Sequence, residues 1–314
     1  MTMAFDNRIT RMFGVDLPIV QAPMGFIAKP PLVAGVANAG AIGLVPGSLP
    51  IDEVRDDIRR TRALTDKPFG VNLPIAFVQD IKIVDMIVEE GIRFVTTSAG
   101  SPDKHTRTLK EAGLTVFHVV PSLKAALKAV DAGVDGLVVE GSEGAGFKNP
   151  RDVTSMVLLP LITSRVDVPV IAAGGMADGR TMAAAFAMGA EGVQMGTRMV
   201  ATVESPVHHN MKQAVVDAEE TDTMLINQHA GRPVRVLRTQ STAPFELSNE
   251  GNAMALLPLT IEMYTNGDMN LGLPQLGQVA GRIDAILPVA EIIRRTVAEF
   301  EDAVGGLASQ HLGR

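Results

Sequence analysis

The sequence predicts a (β/α)8 barrel, a TIM barrel of the α/β class, with an insertion after its eighth strand. Three observations predict it. Eight short apolar, β-branched runs alternate with amphipathic helical stretches. The runs recur mostly at intervals of roughly 20–30 residues, as βα repeats require. Their interiors are almost continuously apolar, as in parallel strands covered on both faces. With 314 residues, 46% of them hydrophobic, the chain can bury the large core that one closed barrel needs. A doubly wound open sheet is the alternative architecture.

The predicted strands are Pro18–Pro23, Ala41–Pro46, Phe69–Leu73, Arg93–Ser98, Thr115–Val120, Gly136–Glu140, Pro169–Ala173 and Gly192–Gly196. Helix punctuation supports them. The stretch Ile51–Leu64 carries Asp52, Glu53, Asp56 and Asp57 early and Arg59, Arg60 and Arg62 late, the order that complements a helix dipole. Gly40, Gly91, Gly113, Gly133 and Gly189 each close an apolar helical stretch just before a strand, as left-handed C-terminal caps do. After the eighth strand the rhythm changes, and Glu204–Gln275 reads as irregular, helix-bearing sequence over the barrel mouth. Leu276–Ala303 then resumes an amphipathic pattern suited to the last outer helix. The expected organisation is a barrel of residues 1–203 and 276–314 with 204–275 as a lid.

Composition narrows the chemistry. The formal net charge of −7 and the scarcity of aromatic residues disfavour a nucleic-acid partner. No run approaches the roughly 20 apolar residues of a membrane span, and Met1 to Asp16 is charged where a signal peptide would be apolar, so a cytoplasmic protein without a membrane partner is expected. There is no cysteine, so thiol nucleophiles, disulfides and thiolate metal sites are excluded, and redox chemistry needs a cofactor. Histidines at i, i+4 are lacking and no carboxylates cluster near His208 and His209, so no metal is expected. There is no Gly-x-Ser-x-Gly elbow either.

In such a barrel the active site forms from the loops after the strands, with phosphate often held after the seventh and eighth. The seventh predicted strand ends in Gly174-Gly175-Met176-Ala177-Asp178-Gly179, where glycines let backbone N–H groups approach a phosphate and a helix N-terminus follows. The eighth ends in Gln194-Met195-Gly196-Thr197-Arg198, a second backbone approach with a hydroxyl and a guanidinium. Gln21, Asn72, Ser98, Gly100 and Glu140 stand at other strand ends, and polar groups gathered on one barrel face suggest a ligand. Met24, Phe26, Ile27, Phe147, Met176 and Met195 suggest an apolar pocket wall and a small-molecule substrate with hydrophobic bulk. The stretch Glu140–Phe147 reads as flexible and near the ligand, or as a long surface loop.

Together these motifs resemble the nitronate monooxygenase (2-nitropropane dioxygenase-like) family of FMN proteins, which includes the flavin-dependent enoyl-acyl-carrier-protein reductase II enzymes. The carriers are Pro18-Ile19-Val20-Gln21-Ala22-Pro23-Met24, Thr65–Asn72, Glu140–Gly146, Pro169–Gly179 and Met195-Gly196-Thr197-Arg198. The resemblance implies FMN with its phosphate on Gly174, Gly175, Gly196 and Thr197. It also implies the ring beside Ala22, Pro23 and Met24, with Asn72, Glu140, Gln194 and Met195 as further cofactor residues.

One departure bears on catalysis: the family pattern ends Gly-His where this chain has Gly146-Phe147. Phenylalanine neither accepts nor donates a proton, so a mechanism needing a base there loses about 10²–10⁴-fold or recruits another group. His118 is the first substitute to consider, although a histidine in an apolar run is commonly packed and hydrogen-bonded. Lys148 could bind an anion or be a solvated loop lysine. Arg232, Arg235 and Arg238 could meet an anionic substrate or form a solvated face.

The implied activity is nitronate monooxygenase-like, with electrons passing from an alkyl nitronate through FMN to O2. The alternatives are an NAD(P)H-dependent reductase of an enoyl thioester or quinone, and a non-redox phosphate-binding barrel. A homodimer is compatible with all three.

Overall fold

In the computed structural model, which describes residues 5–78, 80–248 and 250–311, eight parallel strands form a nearly closed barrel with helices between them. The barrel strands, first to eighth, are Ile19–Gln21, Leu44–Pro46, Gly70–Pro74, Phe94–Ser98, Thr115–Val120, Gly136–Glu140, Val170–Ala173 and Gly192–Met195. Each lies within or against a predicted run. The glycines at 40, 91, 113, 133 and 189 all have positive φ, between 73° and 92°, the left-handed geometry a helix terminator needs.

Strand parity sorts the side chains. Val20, Leu44, Phe94, Phe117, Val138 and Ile171 fill the interior, while their neighbours Ile19, Val45, Val95, Val116, Leu137 and Val170 pack against the outer helices. The short helix Arg8–Phe13 plugs the N-terminal end with Ile9 and Phe13, and the Phe13 ring lies 3.9 Å, centre to centre, from Phe94. That end is solid. Only the C-terminal end is left to hold a ligand.

The ring closes between the first and eighth strands through a three-residue register, Ile19 to Val193, Val20 to Gln194 and Gln21 to Met195. Between the first and second strands there is one bridge, Val20 with Ile42. The Gln21 side chain extends this seam: its Oε1 accepts the Leu44 N–H at 3.1 Å and its Nε2 donates to Leu44 O at 3.5 Å. A fully buried side-chain amide thus stands where a peptide group would continue the ladder, which satisfies the buried backbone as the chain bends away.

The expected last helix, Leu276–Ala303, starts later than its periodicity suggests, at Val289, and runs to His311. Residues Gln278–Arg282 form a 3-10 turn, and Pro288 precedes a helix start whose Val289 N–H is accepted by Glu204. This helix packs on Gly179–Ala187, where any Cβ on Gly179 would strike the Phe300 backbone. Gly179 therefore permits helix contact rather than a phosphate approach.

Residues 204–275 carry the helix His209–Val216, the antiparallel strands Thr223–Ile226 and Val234–Leu237, and the helix Thr260–Asn266. Val234 and Arg235 pair with Phe147 and Gly146, so the glycine-rich stretch after the sixth barrel strand becomes the third strand of this small sheet. It is anchored, not a free surface loop. Among the described residues, no helix is long and apolar enough to cross a membrane.

Candidate active site

A cavity of about 880 Å3 opens at the C-terminal end of the barrel. Its floor follows from strand parity. Asn72, Ser98, Val119, Glu140, Ala173 and Gln194 each continue an inward-facing row by one step beyond the apolar interior, and all line the cavity. Asn72 is held by its amide, which donates to Thr96 Oγ1 at 2.9 Å and to Ser98 Oγ at 3.3 Å. Gln194 Oε1 is buried without a hydrogen-bond partner. A buried carbonyl oxygen of this kind costs about 1–3 kcal/mol unless a ligand or water satisfies it.

Of the residues predicted for the site, Ala22, Pro23, Met24, Asn72, Glu140, Phe147, Gly174, Gly175, Gln194, Gly196 and Thr197 are brought together around this cavity. Gly174 and Gly175 take φ of 84° and 77°, and neither N–H donates to a protein acceptor among the described residues. At Gly196 an added Cβ would meet only Ala22 Cβ, at 3.5 Å, and Met24 Sδ, at 4.0 Å. The Thr197 hydroxyl accepts the Gly277 N–H at 2.9 Å.

Other predicted residues lie elsewhere. His118 is on the outward-facing row of its strand, buried, with Nδ1 2.7 Å from Thr97 Oγ1. Burial lowers its pKa to about 4, so the ring is neutral at physiological pH. It is not among the residues that line the cavity. Met195 is likewise one residue out of phase, fully buried among the outer helices, and contributes to the site region only its carbonyl, which accepts the Ala22 N–H at 2.9 Å. Gln21 serves the seam. Arg198 is buried and donates to the carbonyls of Ala201 and Ala285, with its pKa pulled down to about 10 by burial, so it is not a phosphate ligand.

The helix at Gly179 is also unavailable to a phosphate. Asp178 caps it, accepting the Thr181 N–H at 2.8 Å, Glu299 accepts the Gly179 N–H, and Arg282 pairs with Asp178. The three arginines of the insertion have separate fates. Arg235 is buried and donates through Nε to Ser142 O at 2.9 Å, while burial lowers its pKa. Arg238 pairs with Glu246, and Arg232 is exposed. His208 caps a helix, accepting the Asn210 N–H.

Phe147, 47% exposed, joins Phe26, Phe77 and Ile261 in an apolar collar around the opening. Several cavity residues carried no sequence signal, because they arrive from distant turns. Leu257, Tyr264 and Gln275 come from the 204–275 segment, and Gly277 and Val279 from just beyond it. Tyr264 is the only tyrosine in the chain. Burial pushes its phenol up to about 12, so it stays protonated. Lys148 is not a solvated loop lysine: its side chain is 4% exposed and ion-paired with Glu140.

A family model described as nitronate monooxygenase matches residues 6–77 and 74–299. The chain belongs to the nitronate monooxygenase family. A probable nitronate monooxygenase of Staphylococcus saprophyticus is 30% identical over 287 residues, covering 76% of this chain and 80% of that one. A 5-hydroxy-7a-methyl-1-oxo-octahydro-1H-indene-4-carboxyl-CoA dehydrogenase of Rhodococcus jostii is 38% identical over 250 residues, 79% of this chain and 70% of that one. Among solved structures, FabK from Thermotoga maritima superposes with a TM-score of 0.92 at 40% identity, covering 97% of this chain and 99% of that one. Nitroalkane oxidase from Streptomyces ansochromogenes gives 0.83 at 25% identity, over 96% and 100%. The chain is an oxidoreductase of this family, which sets aside the non-redox barrel.

Proposed function

We propose that the cavity holds FMN and that the chain oxidises alkyl nitronates, passing the electrons to molecular oxygen. The observation that carries the cofactor assignment is the cavity floor. It offers an unpartnered Gln194 oxygen, free N–H groups at Gly174 and Gly175, and open space over the Gly196 backbone. These fit a group with a phosphate at one end and a planar, polar-edged ring at the other. Gly174, Gly175, Gly196 and Thr197 would hold the phosphate, and Ala22 to Met24, Asn72, Glu140 and Gln194 would surround the remainder. When bound, FMN supplies the two-electron acceptor that no side chain of a cysteine-free protein offers.

The protein's own groups then bind and orient. The apolar collar of Phe26, Phe77, Phe147 and Ile261 favours a substrate with hydrophobic bulk and keeps bulk water out. Tyr264, protonated at all physiological pH, can donate a hydrogen bond to an oxygen of the substrate. Leu257, Pro258, Ile261 and Tyr264 line the cavity from residues 204–275, which supports assigning that segment as its cover.

The second reading is reduction of an enoyl thioester by NAD(P)H. The FabK structure at 40% identity and the carboxyl-CoA dehydrogenase at 38% favour it, whereas Phe147 departs from the pattern of both branches. Anaerobic titration of the purified protein's flavin spectrum separates the two. Bleaching by ethyl nitronate alone supports the first, and bleaching by NADH or NADPH, reversed by a crotonyl thioester, moves the protein to the second. A colourless protein that takes up no FMN would overturn both.

A further inference from the structure

Lys148 has no role in the function proposed so far, yet the setting of its ion pair with Glu140 is specific. Glu140 ends the sixth barrel strand on the inward row, and Lys148 follows Phe147 on the strand that joins the small sheet. Phe147 and Lys148 therefore point to opposite sides, the ring toward the opening and the ammonium inward to Glu140. Both charged side chains line the large cavity. The glycine-rich loop is wrapped around them: a Cβ on Gly144 would collide with Glu140 Oε1 and lie 2.8 Å from Lys148 Nζ. A part-buried pair that dictates the local backbone is more than surface decoration.

The same pair also borders a second, small chamber of about 30 Å3, which shares Pro121, Phe147 and Asn149 with the large cavity and is lined further by Ser142 and Asp152. One water needs about 10–15 Å3 of such space and two to four polar partners, so the chamber can hold water. Asp152 is exposed, which puts the outer end of the chamber at the solvent. The other charged groups facing this region are Glu143, whose carboxylate accepts from Ser155 N–H and Oγ–H at 3.0 Å and 2.7 Å, and Arg235, tied to Ser142 O. Both are engaged, which leaves Glu140 and Lys148 as the groups bridging cavity and chamber.

We infer that Glu140, Lys148 and the chamber form a proton relay between solvent and the cavity, replacing the proton transfer that Phe147 cannot perform. The inference rests on the cavity being the redox site. For a proton leaving a neutral nitroalkane, the substrate C–H bond breaks and its electron pair stays on carbon as the nitronate. The proton bonds to Glu140 Oε1. Lys148 gives one N–H proton to chamber water and takes the one on Glu140, which restores carboxylate and ammonium. One proton has moved outward and no redox state has changed. The reverse order delivers a proton to the α-carbon of a reduced enoyl thioester.

The test compares nitroethane, which must lose a proton, with pre-ionised ethyl nitronate. In Lys148→Met the ratio of nitroethane to ethyl nitronate turnover should fall about 100-fold, within the usual worth of a positioned acid or base. Lys148→Arg keeps the charge but cannot release its proton. It should show the same fall in ratio, whereas a purely structural lysine would be rescued by arginine and would leave the ratio constant. A readout independent of turnover is the infrared carboxyl band. With Lys148→Met, Glu140 should take up a proton and show a protonated C=O stretch absent from Lys148→Met/Glu140→Gln. An unchanged ratio in both single variants, or no such band, overturns the relay. Should the wild type oxidise neither compound, the nitronate assignment fails, and absence of the infrared band would still overturn the relay independently of that assignment.

Discussion

Replacing Gly196 with alanine separates cofactor binding from folding. The backbone there has φ −105° and ψ −76°, which alanine accepts, and the new methyl would touch only Ala22 Cβ at 3.5 Å and Met24 Sδ at 4.0 Å, ordinary contacts. Stability of the ligand-free protein should therefore change by no more than about 0.5 kcal/mol. The methyl occupies the space a phosphate needs to reach the Gly196 and Thr197 amides. Losing one charged hydrogen bond, worth about 1.5–3 kcal/mol, raises the FMN Kd roughly 10- to 150-fold. Fluorescence titration of the apoprotein reads this directly. Melting gives a second reading: FMN at 100 times the wild-type Kd stabilises by about 2.7 kcal/mol, but by only about 0.4 kcal/mol if Kd rises 100-fold, so the FMN-induced shift should nearly vanish. Gly113→Ala is the converse control. Its φ of 78° costs alanine about 1–2 kcal/mol with nothing within 4 Å, so it should lower Tm and keep the FMN shift. An unaltered Kd in Gly196→Ala would refute the phosphate assignment.

Other perturbations follow from the same geometry. Phe147→His, at a half-exposed position, should cost under about 1 kcal/mol and add an activity on neutral nitroalkanes that rises with pH through about 6.5; a flat pH–rate profile would show that the position is out of reach of substrate. His118 is neutral in the fold, with its pKa lowered to about 4, whereas the unfolded value is about 6.5. Its contribution is thus fully present above pH 6.5 and is lost, by up to about 3 kcal/mol, as pH falls toward 4; urea midpoints across that range should show a slope that His118→Gln flattens. Arg235→Met removes the buried donor to Ser142 O and should loosen the 141–147 loop, seen as faster amide exchange there than in the barrel strands.

The barrel was legible because every strand is an apolar run and five of the eight are announced a second time by the glycine that ends the preceding helix. The cavity floor was legible for the same reason, since polar residues at strand ends have few other places to go. Two of the expected site residues fall outside the cavity because of strand phase. His118 and Met195 occupy the right strands but alternate to the outside, and period-2 counting from Phe117 and Gln194 already places them there. The fates of Arg198 and Arg235 and of the Gly179 helix end were hidden for a different reason. Arg198, Arg235 and Asp178 are claimed by Ala285, Ser142 and Arg282, which lie 87, 93 and 104 residues away along the chain. No local pattern encodes such partners. The same distance hid Tyr264 and Gly277, and it turned the glycine-rich stretch from an apparent loop into a strand.

The glutamine at the seam has a consequence for the mouth of the barrel. Gln21 lets the main chain peel off the ring three residues before Met24 while keeping the second strand's Leu44 amide bonded. The first stave is thereby joined to the second by two peptide hydrogen bonds about Ile42 and, beyond them, by a side chain that takes over where the ladder stops. Beyond Met24, therefore, the turn can change shape at the entrance while the three-residue register with the eighth strand holds the alignment of the staves behind it.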